Sequence, residues 1–572
     1  MSRQATFNIN NYDYVVGIDF GTTYSGCSWS SCGGGKDAQI VDVTSWPGHD
    51  NNHYPKTPTA LIYDSSGKHK YWGKKAEKER LKLSDKENKF YSLFKLYLHQ
   101  PNTANLPPGF SSVKLISEYL ECLHSYVYKV MESKISNLSR NRLRYCLTVP
   151  AIWDDQAKAS MREAAVRAGI INRDDHPLRL MLISEPESAA IYCEKRMKEF
   201  RLSDKQRFMV CDAGGGTVDL IIFELSKDED GNRTLHEVTS GSGDAYGSSL
   251  VDKNMLNLIK EKLASQGELS KKRLQIIMDT FTMEQKTVFG ENKEDIYITL
   301  PNKLRKDKKT IKENRDLGIK DGKLLVTYDE LRTRVFDPVI DKILDLIREQ
   351  LEQNDQEEKL NGLLLVGGFG RNKYLMNRIS EVFQNDINVI KQVPRGELAI
   401  SRGAVCFGLS PTLISERISK RSYGIMAALP FNPLLDSKSH VVLNNGIPYC
   451  ARRFSVYVKK GQTLKNNEYI FKKYTVKYPN NTDADLYAYN GNGDPPRSIT
   501  DPRVYKVAKF PIKMPNFPDM AKGDKVEMFI HMFFGQTEIR VEVKIRHYKF
   551  TFTSTFESAE KLKVGRSLTP RK

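Results

Sequence analysis

Two short stretches carry the residue types that hold a phosphate chain beside a hydrated metal. The first, Asp19-Phe20-Gly21-Thr22-Thr23-Tyr24-Ser25-Gly26, follows the apolar run Tyr14-Val15-Val16-Gly17-Ile18. The second, Asp212-Ala213-Gly214-Gly215-Gly216-Thr217-Val218-Asp219, follows Arg207-Phe208-Met209-Val210-Cys211. Glycines lack the Cβ that would keep backbone N–H groups away from an anion, and threonine hydroxyls add further donors. An aspartate at a strand end can hold Mg²⁺ through its water shell, because that ion dehydrates reluctantly and takes few carboxylates. Asp19 and Asp212 are therefore expected to hold Mg²⁺ through water. Thr22 and Thr23, in the loop that runs from Gly21 to Tyr24, should meet the β- and γ-phosphates. Gly214, Gly215, Gly216 and Thr217 should face them from the other side, and Asp219 either completes the acidic set or fixes the loop. Two loops of one design predict a nucleotide clamped between two related lobes.

The elements around these loops read as alternating strand and helix. The first lobe is expected over residues 13–205, with a helix through Ile116–Val127 from its apolar spacing. The second is expected over 206–408, with helices near 248–265, 270–288 and 328–353. Thr327, three residues before Glu330, is placed to form a capping box at the last of these. Residues 1–12 are polar and expected to be disordered, and Lys303–Lys309 reads as an exposed charged loop. After a linker at 409–422 the pattern becomes strands alone. Phe454, Val456 and Val458 alternate with other residues, as do Ile539, Val541, Val543 and Ile545. The second series resumes out of step at Tyr548, so a turn or bulge should follow His547. A β-sandwich over 423–558 and a basic tail over 559–572 complete the division.

The two glycine loops resemble the phosphate loops of the heat-shock-70 chaperones, and further segments follow in that family's order. Thr148-Val149-Pro150-Ala151 resembles the strand joining the lobes, and Ser184-Glu185-Pro186-Glu187-Ser188-Ala189-Ala190 resembles the family's Asn-Glu-Pro-Thr-Ala-Ala-Ala. Leu365-Val366-Gly367-Gly368-Phe369-Gly370-Arg371 resembles its adenosine loop, and Glu397–Ala404 the helix that closes the second lobe. Phe369-Gly370 in place of the usual Ser-Thr, together with Arg421–Gly424, Ser498–Pro502 and Phe534–Ile539, is similar to the divergent "member 12" branch. The resemblance implies an α/β fold, a two-lobed actin-like ATPase built on ribonuclease-H-like repeats. A β-sandwich would follow it, with too few residues left for a helical lid. It implies Lys95 as the cation near the γ-phosphate and Glu185 as the acid that orders the attacking water or the metal's hydration shell, with Asp212 and Thr217 beside them. It also implies Gly367, Gly368, Arg371 and Lys286 around the adenosine. ATP/ADP and Mg²⁺ are the implied ligands, and extended peptide clients and co-chaperones the implied partners. Pro150 and Lys158 lie where the family has a switch proline and its basic partner, but the leucine-rich linker is absent. Slow ATP hydrolysis is the leading reading, and an ATP-gated signalling scaffold with negligible turnover is the alternative.

Composition narrows the remaining classes. The 572 residues are 40% apolar and 28% charged, as in ordinary globular proteins. No apolar run reaches bilayer length and the N-terminus lacks a secretory core, so a cytoplasmic location is expected. Eight scattered cysteines without a Cys-x-x-Cys pair suggest neither a disulfide scaffold nor a zinc site. Of the net charge of +18, residues 411–572 carry +14 and the longer remainder +4. No nucleic-acid motif accompanies that charge, so a solvated basic face is expected in preference to a nucleic-acid partner.

Overall fold

Both lobes begin with the same strand arrangement. In the first, Tyr14–Phe20 pairs antiparallel with Tyr24–Ser31, Asp19 lying opposite Gly26, and parallel with Leu143–Val149. Leu180–Ser184 adds a further parallel strand. In the second, Arg207–Ala213 pairs antiparallel with Val218–Lys227, Asp212 opposite Asp219, and parallel with Gly362–Val366, which in turn pairs with Ile390–Gln392. These strands are buried on both faces, which is why they read as continuous apolar runs. This computed structural model describes the chain except residues 1–10, 51–53, 83–87, 100–105, 107–108, 197–201, 267–269, 302–311, 355–358, 467 and 554–572. The expected charged loop, the basic tail and most of the polar N-terminal stretch lie outside the described residues.

Helix Ser112–Glu132 buries Leu115, Tyr119, Leu120 and Leu123 beneath the first sheet and is capped by Ser111. In the second lobe, helices occupy Ser248–Lys262, Lys271–Thr280 with a wider turn to Gln285, and Tyr328 through Glu352. The capping box forms as read: Thr327 Oγ1 accepts from the Glu330 amide at 3.2 Å, and a Glu330 carboxylate oxygen accepts from the Thr327 amide at 2.9 Å. Between the lobes runs Gly396–Leu409, buried along almost its whole length. It comes so close to the first strand that a Cβ on Gly17 would collide with Ser401 and Val405. Ser28 Oγ meets Ser401 Oγ at 2.9 Å, and Ser188 donates to the Ile400 carbonyl at 2.7 Å.

Within the stretch read as a linker, Ile414–Ile418 is a strand, parallel to Arg233–Glu237 in the second-lobe sheet. Thr463–Lys465 pairs with it in turn, so the two domains share a sheet. The C-terminal part places a five-stranded sheet against a four-stranded one, with Ile425, Leu486, Ile530, Val541 and Val543 in the shared core. Arg546 in the left-handed region and His547 form the turn that restores the alternation, so Tyr548 pairs with Ile545. The described part of 423–553 contains strands and one short helical turn, Lys438–His440.

Candidate functional site

Each phosphate-type loop is pinned by a neighbour. The Thr59 hydroxyl donates to the Gly21 carbonyl at 2.8 Å and its amide to that of Thr23 at 2.8 Å. The Gly214 amide closes a turn on the Thr217 carbonyl at 3.0 Å, and the first turn of helix Ser248–Lys262 donates to Gly214 and Gly215 at 3.1 and 2.9 Å. The loops then meet face to face. A Cβ on Gly215 would run into the side chain of Thr23, and one on Gly216 into that of Thr22. Glycine is required there because the opposite loop occupies the space. Tyr24 sits at the rim, 37% exposed and edge-on to Tyr54.

Behind the loops lie four buried carboxylates, Asp19, Glu185, Asp212 and Asp219, and two buried ammonium groups. Lys95 pairs with Glu185 at 2.5 Å, its ammonium over the rings of Phe20 and Trp153. Lys56 pairs with Asp19 at 2.6 Å. Burial raises the Glu185 carboxyl to about 7, with Asp219 and Asp19 adding to the rise and Lys95 opposing it. Burial, then the Glu185, Asp219 and Asp19 charges, push Asp212 well above the usual carboxylate range. With every group ionised the set carries two uncompensated negative charges, the complement of one divalent cation. Asp212 Oδ1 and Asp219 Oδ2 are buried without a hydrogen-bond partner, as groups awaiting a donor such as metal-bound water would be. Among the described residues no three carboxylate, histidine or cysteine side chains converge to ligate a metal directly. The residues present therefore fit Mg²⁺ held through its water shell.

The adenosine-side residues are less uniform. Gly367, at φ +82°, turns tightly over Asp212, and Gly368 faces open space. Asn372 donates to the Lys286 carbonyl at 3.0 Å, joining this loop to the segment around Lys286. Lys286 itself is paired with Asp252 at 2.9 Å, and Arg371 is half exposed, 3.5 Å from Glu397. These residues form one neighbourhood, but Lys286 spends its charge on Asp252.

Below the site the β-sandwich is fastened to both lobes. Arg162 reaches Glu538 through two nitrogens at 2.8 and 2.6 Å, and Lys158 donates to the Thr537 carbonyl at 3.2 Å. Arg417 pairs with Glu187 at 2.6 Å, and the Tyr423 hydroxyl donates to Asp155 at 2.8 Å. Lys420 donates to the Ala151 carbonyl of the first lobe at 2.6 Å and to that of Gly241 in the second at 3.0 Å. Burial, then the Lys158 charge, lowers the Lys420 ammonium to about 8; burial, then Glu187, raises Glu237 to about 7.

Sequence reasoning missed Lys56 and the cradle of Phe20 and Trp153 around Lys95. Nothing local marks Lys56, which stands among prolines on a short connection and becomes a partner of Asp19 only through strand pairing. The chain is similar in sequence to one family model and to several known proteins. The family described as Domain of unknown function (DUF8340) matches residues 202–392. Heat shock 70 kDa protein 12A of Mus musculus is 25% identical over 94% of this chain and 90% of its own. Heat shock 70 kDa protein 12B of Homo sapiens is 24% identical over 94% and 89%. Chaperone protein DnaK of Thermosipho melanesiensis is 24% identical over 68% of this chain and 58% of its own.

Proposed function

Because the chain is a heat-shock-70-like protein of the 12 type, we propose that it binds Mg·ATP between its lobes and hydrolyses it slowly. The observation that carries this reading is the contact of two glycine-threonine loops over an acidic set that, when fully ionised, has the charge to match one divalent cation. Bound Mg²⁺ would neutralise phosphate charge, with Asp19 and Asp212 holding its waters. The chain's own groups do the rest. Loop amides and the Thr22, Thr23 and Thr217 hydroxyls bind phosphate oxygens. Lys95, held by Glu185 and two aromatic rings, supplies a desolvated cation where charge develops. Glu185, with its carboxyl at about 7, accepts a proton from water near neutral pH. Gly367, Gly368 and Arg371 border the adenosine, with Lys286 holding its place through Asp252.

The β-sandwich is proposed to take extended peptide by strand addition. Val441–Asn444 is one of the two edge strands of the five-stranded sheet, and its Leu443 is 72% exposed. Cytosolic action is consistent with eight uncrosslinked cysteines, and no described helix is long and apolar enough to cross a membrane. Single-turnover hydrolysis of Mg·ATP by the purified chain tests the proposal. Tight nucleotide binding without turnover would select the ATP-gated scaffold, and no nucleotide binding would overturn both readings.

A further inference from the structure

The four-stranded sheet of the β-sandwich turns one face into the core and leaves the other outward. Two rows on the outer face differ in character. In one, Lys473, Phe529, Lys544 and Lys549 lie opposite one another across all four strands, with Lys473 paired to Glu527 at 2.5 Å and Lys549 to Glu542 of the neighbouring row at 3.0 Å. The next row, two residues and about 7 Å along the strands, begins with Phe471 opposite His531. Their rings stack at 5.6 Å with an interplanar angle of 22°. Tyr469 joins them, 4.9 Å from His531 and 5.4 Å from Phe533, and the Arg540 guanidinium lies 3.8 Å over the Phe533 ring. Tyr469 and Phe471 are 50% and 55% exposed.

A solvated basic face accounts for the lysines and leaves the uncovered rings unexplained. An acidic peptide would complement the lysines and likewise leave the outward faces of Tyr469 and Phe471 uncovered. A chain of regularly spaced anions bearing flat bases matches both rows at once, since base stacking on aromatic side chains beside cationic tracks is how single strands are held. We propose that this face binds single-stranded nucleic acid, bases stacking on Tyr469 and Phe471 and phosphates meeting the Lys473–Lys544–Lys549 row. The sequence showed no nucleic-acid motif because the rings come from strands some sixty positions apart and meet only through register. The surface is separate from the nucleotide site and from the edge strand Val441–Asn444, which belongs to the other sheet.

The test uses the full chain and a fluorescein-labelled oligouridine of about twelve nucleotides, a length within the range that one such module covers. Anisotropy titrations at rising KCl should show binding whose logarithmic salt slope is about −2, from about −0.7 per phosphate contact for a single strand and three lysines. Tyr469→Ala with Phe471→Ala should weaken it about tenfold or more. Lys473→Gln, Lys544→Gln and Lys549→Gln together should flatten the salt slope. Melting temperature is measured alongside; should the alanine pair lower it, Tyr469→Leu with Phe471→Leu keeps apolar bulk while removing the π faces. Absence of binding would overturn the proposal. So would binding that survives loss of both rings, as attachment through the basic residues 561–572 alone would. Full competition by polyglutamate with no loss on removing the rings would instead assign the face to acidic peptides.

Discussion

Replacing Lys95 by Met separates what this residue does for stability from what it does for chemistry. The ammonium lies 2.5 Å from Glu185 Oε1 with 2% of its side chain exposed, so little water screens the pair. At the effective dielectric of a protein site, unit charges about 4 Å apart interact by about 4 kcal/mol. Losing an interaction of that order should carry Glu185, already near 7, further up and leave it protonated at neutral pH. Breaking a buried pair from one side costs about 3–5 kcal/mol of stability. Turnover should fall by about 10²–10³, the usual loss when one preorganised electrostatic contributor is removed. Lys95→Met with Glu185→Gln should recover most of the stability, because no charge is left unpartnered, and recover none of the turnover. The assay is single-turnover Mg·ATP hydrolysis with nucleotide affinity and melting temperature measured on the same samples. Turnover within about threefold of the parent chain in Lys95→Met, far short of the loss typical of such a contributor, would refute the assignment of Lys95 as the cation at the reacting phosphate.

Gly216→Ala drives a Cβ into Thr22; it should cost about 1–3 kcal/mol and abolish the thermal shift produced by nucleotide, and adding Thr22→Ala should restore part of that shift. Glu538→Gln leaves the Arg162 guanidinium buried without its carboxylate, at a cost of about 3–5 kcal/mol. The β-sandwich should then separate from the first lobe, seen as faster protease cleavage within 409–422; unchanged cleavage would show that the pair does not hold the domains together. Glu237 has a carboxyl raised by burial from 4.5 to about 7, so the folded chain binds this proton more tightly than the unfolded one and stability drops as pH rises through that window. Glu237→Gln should flatten the decline, its melting temperature gaining on the parent between pH 5 and 8; parallel curves would count against a buried, proton-hungry Glu237.

Both loops of the candidate site are legible in the sequence because their residues are local. Asp19, Thr22, Thr23, Asp212 and the three glycines sit within two loops of eight residues, and strand pairing alone brings each set to one end of a sheet. The Thr327 cap and the alternation around Val541 and Val543 are likewise short-range. Contacts between distant segments were not legible. Arg162 and Glu538 are separated by 376 positions, and neither has a neighbour that announces the other. Ile414–Ile418 reads as polar linker because Ser415 and Glu416 interrupt its apolar residues, yet the unpaired edge of Arg233–Glu237 recruits it as a strand. The outer sheet face was hidden for the same reason: Phe471 and His531 are each unremarkable until register stacks them.

The helix Gly396–Leu409 has a consequence for how the chain comes off the ribosome. It covers the strand Tyr14–Phe20 and closes onto Ser28 across a separation of 373 positions. The first lobe is complete in sequence soon after residue 200, yet the trough around Gly17 and Val15 stays open to solvent until residues 396–409 have emerged. The first lobe therefore completes its packing only once residues 396–409 are available, so the two halves of this part depend on each other. Until that helix docks, Val15 and Gly17 lack their native cover, and uncovered apolar surface of this kind is what makes incompletely folded chains prone to aggregate.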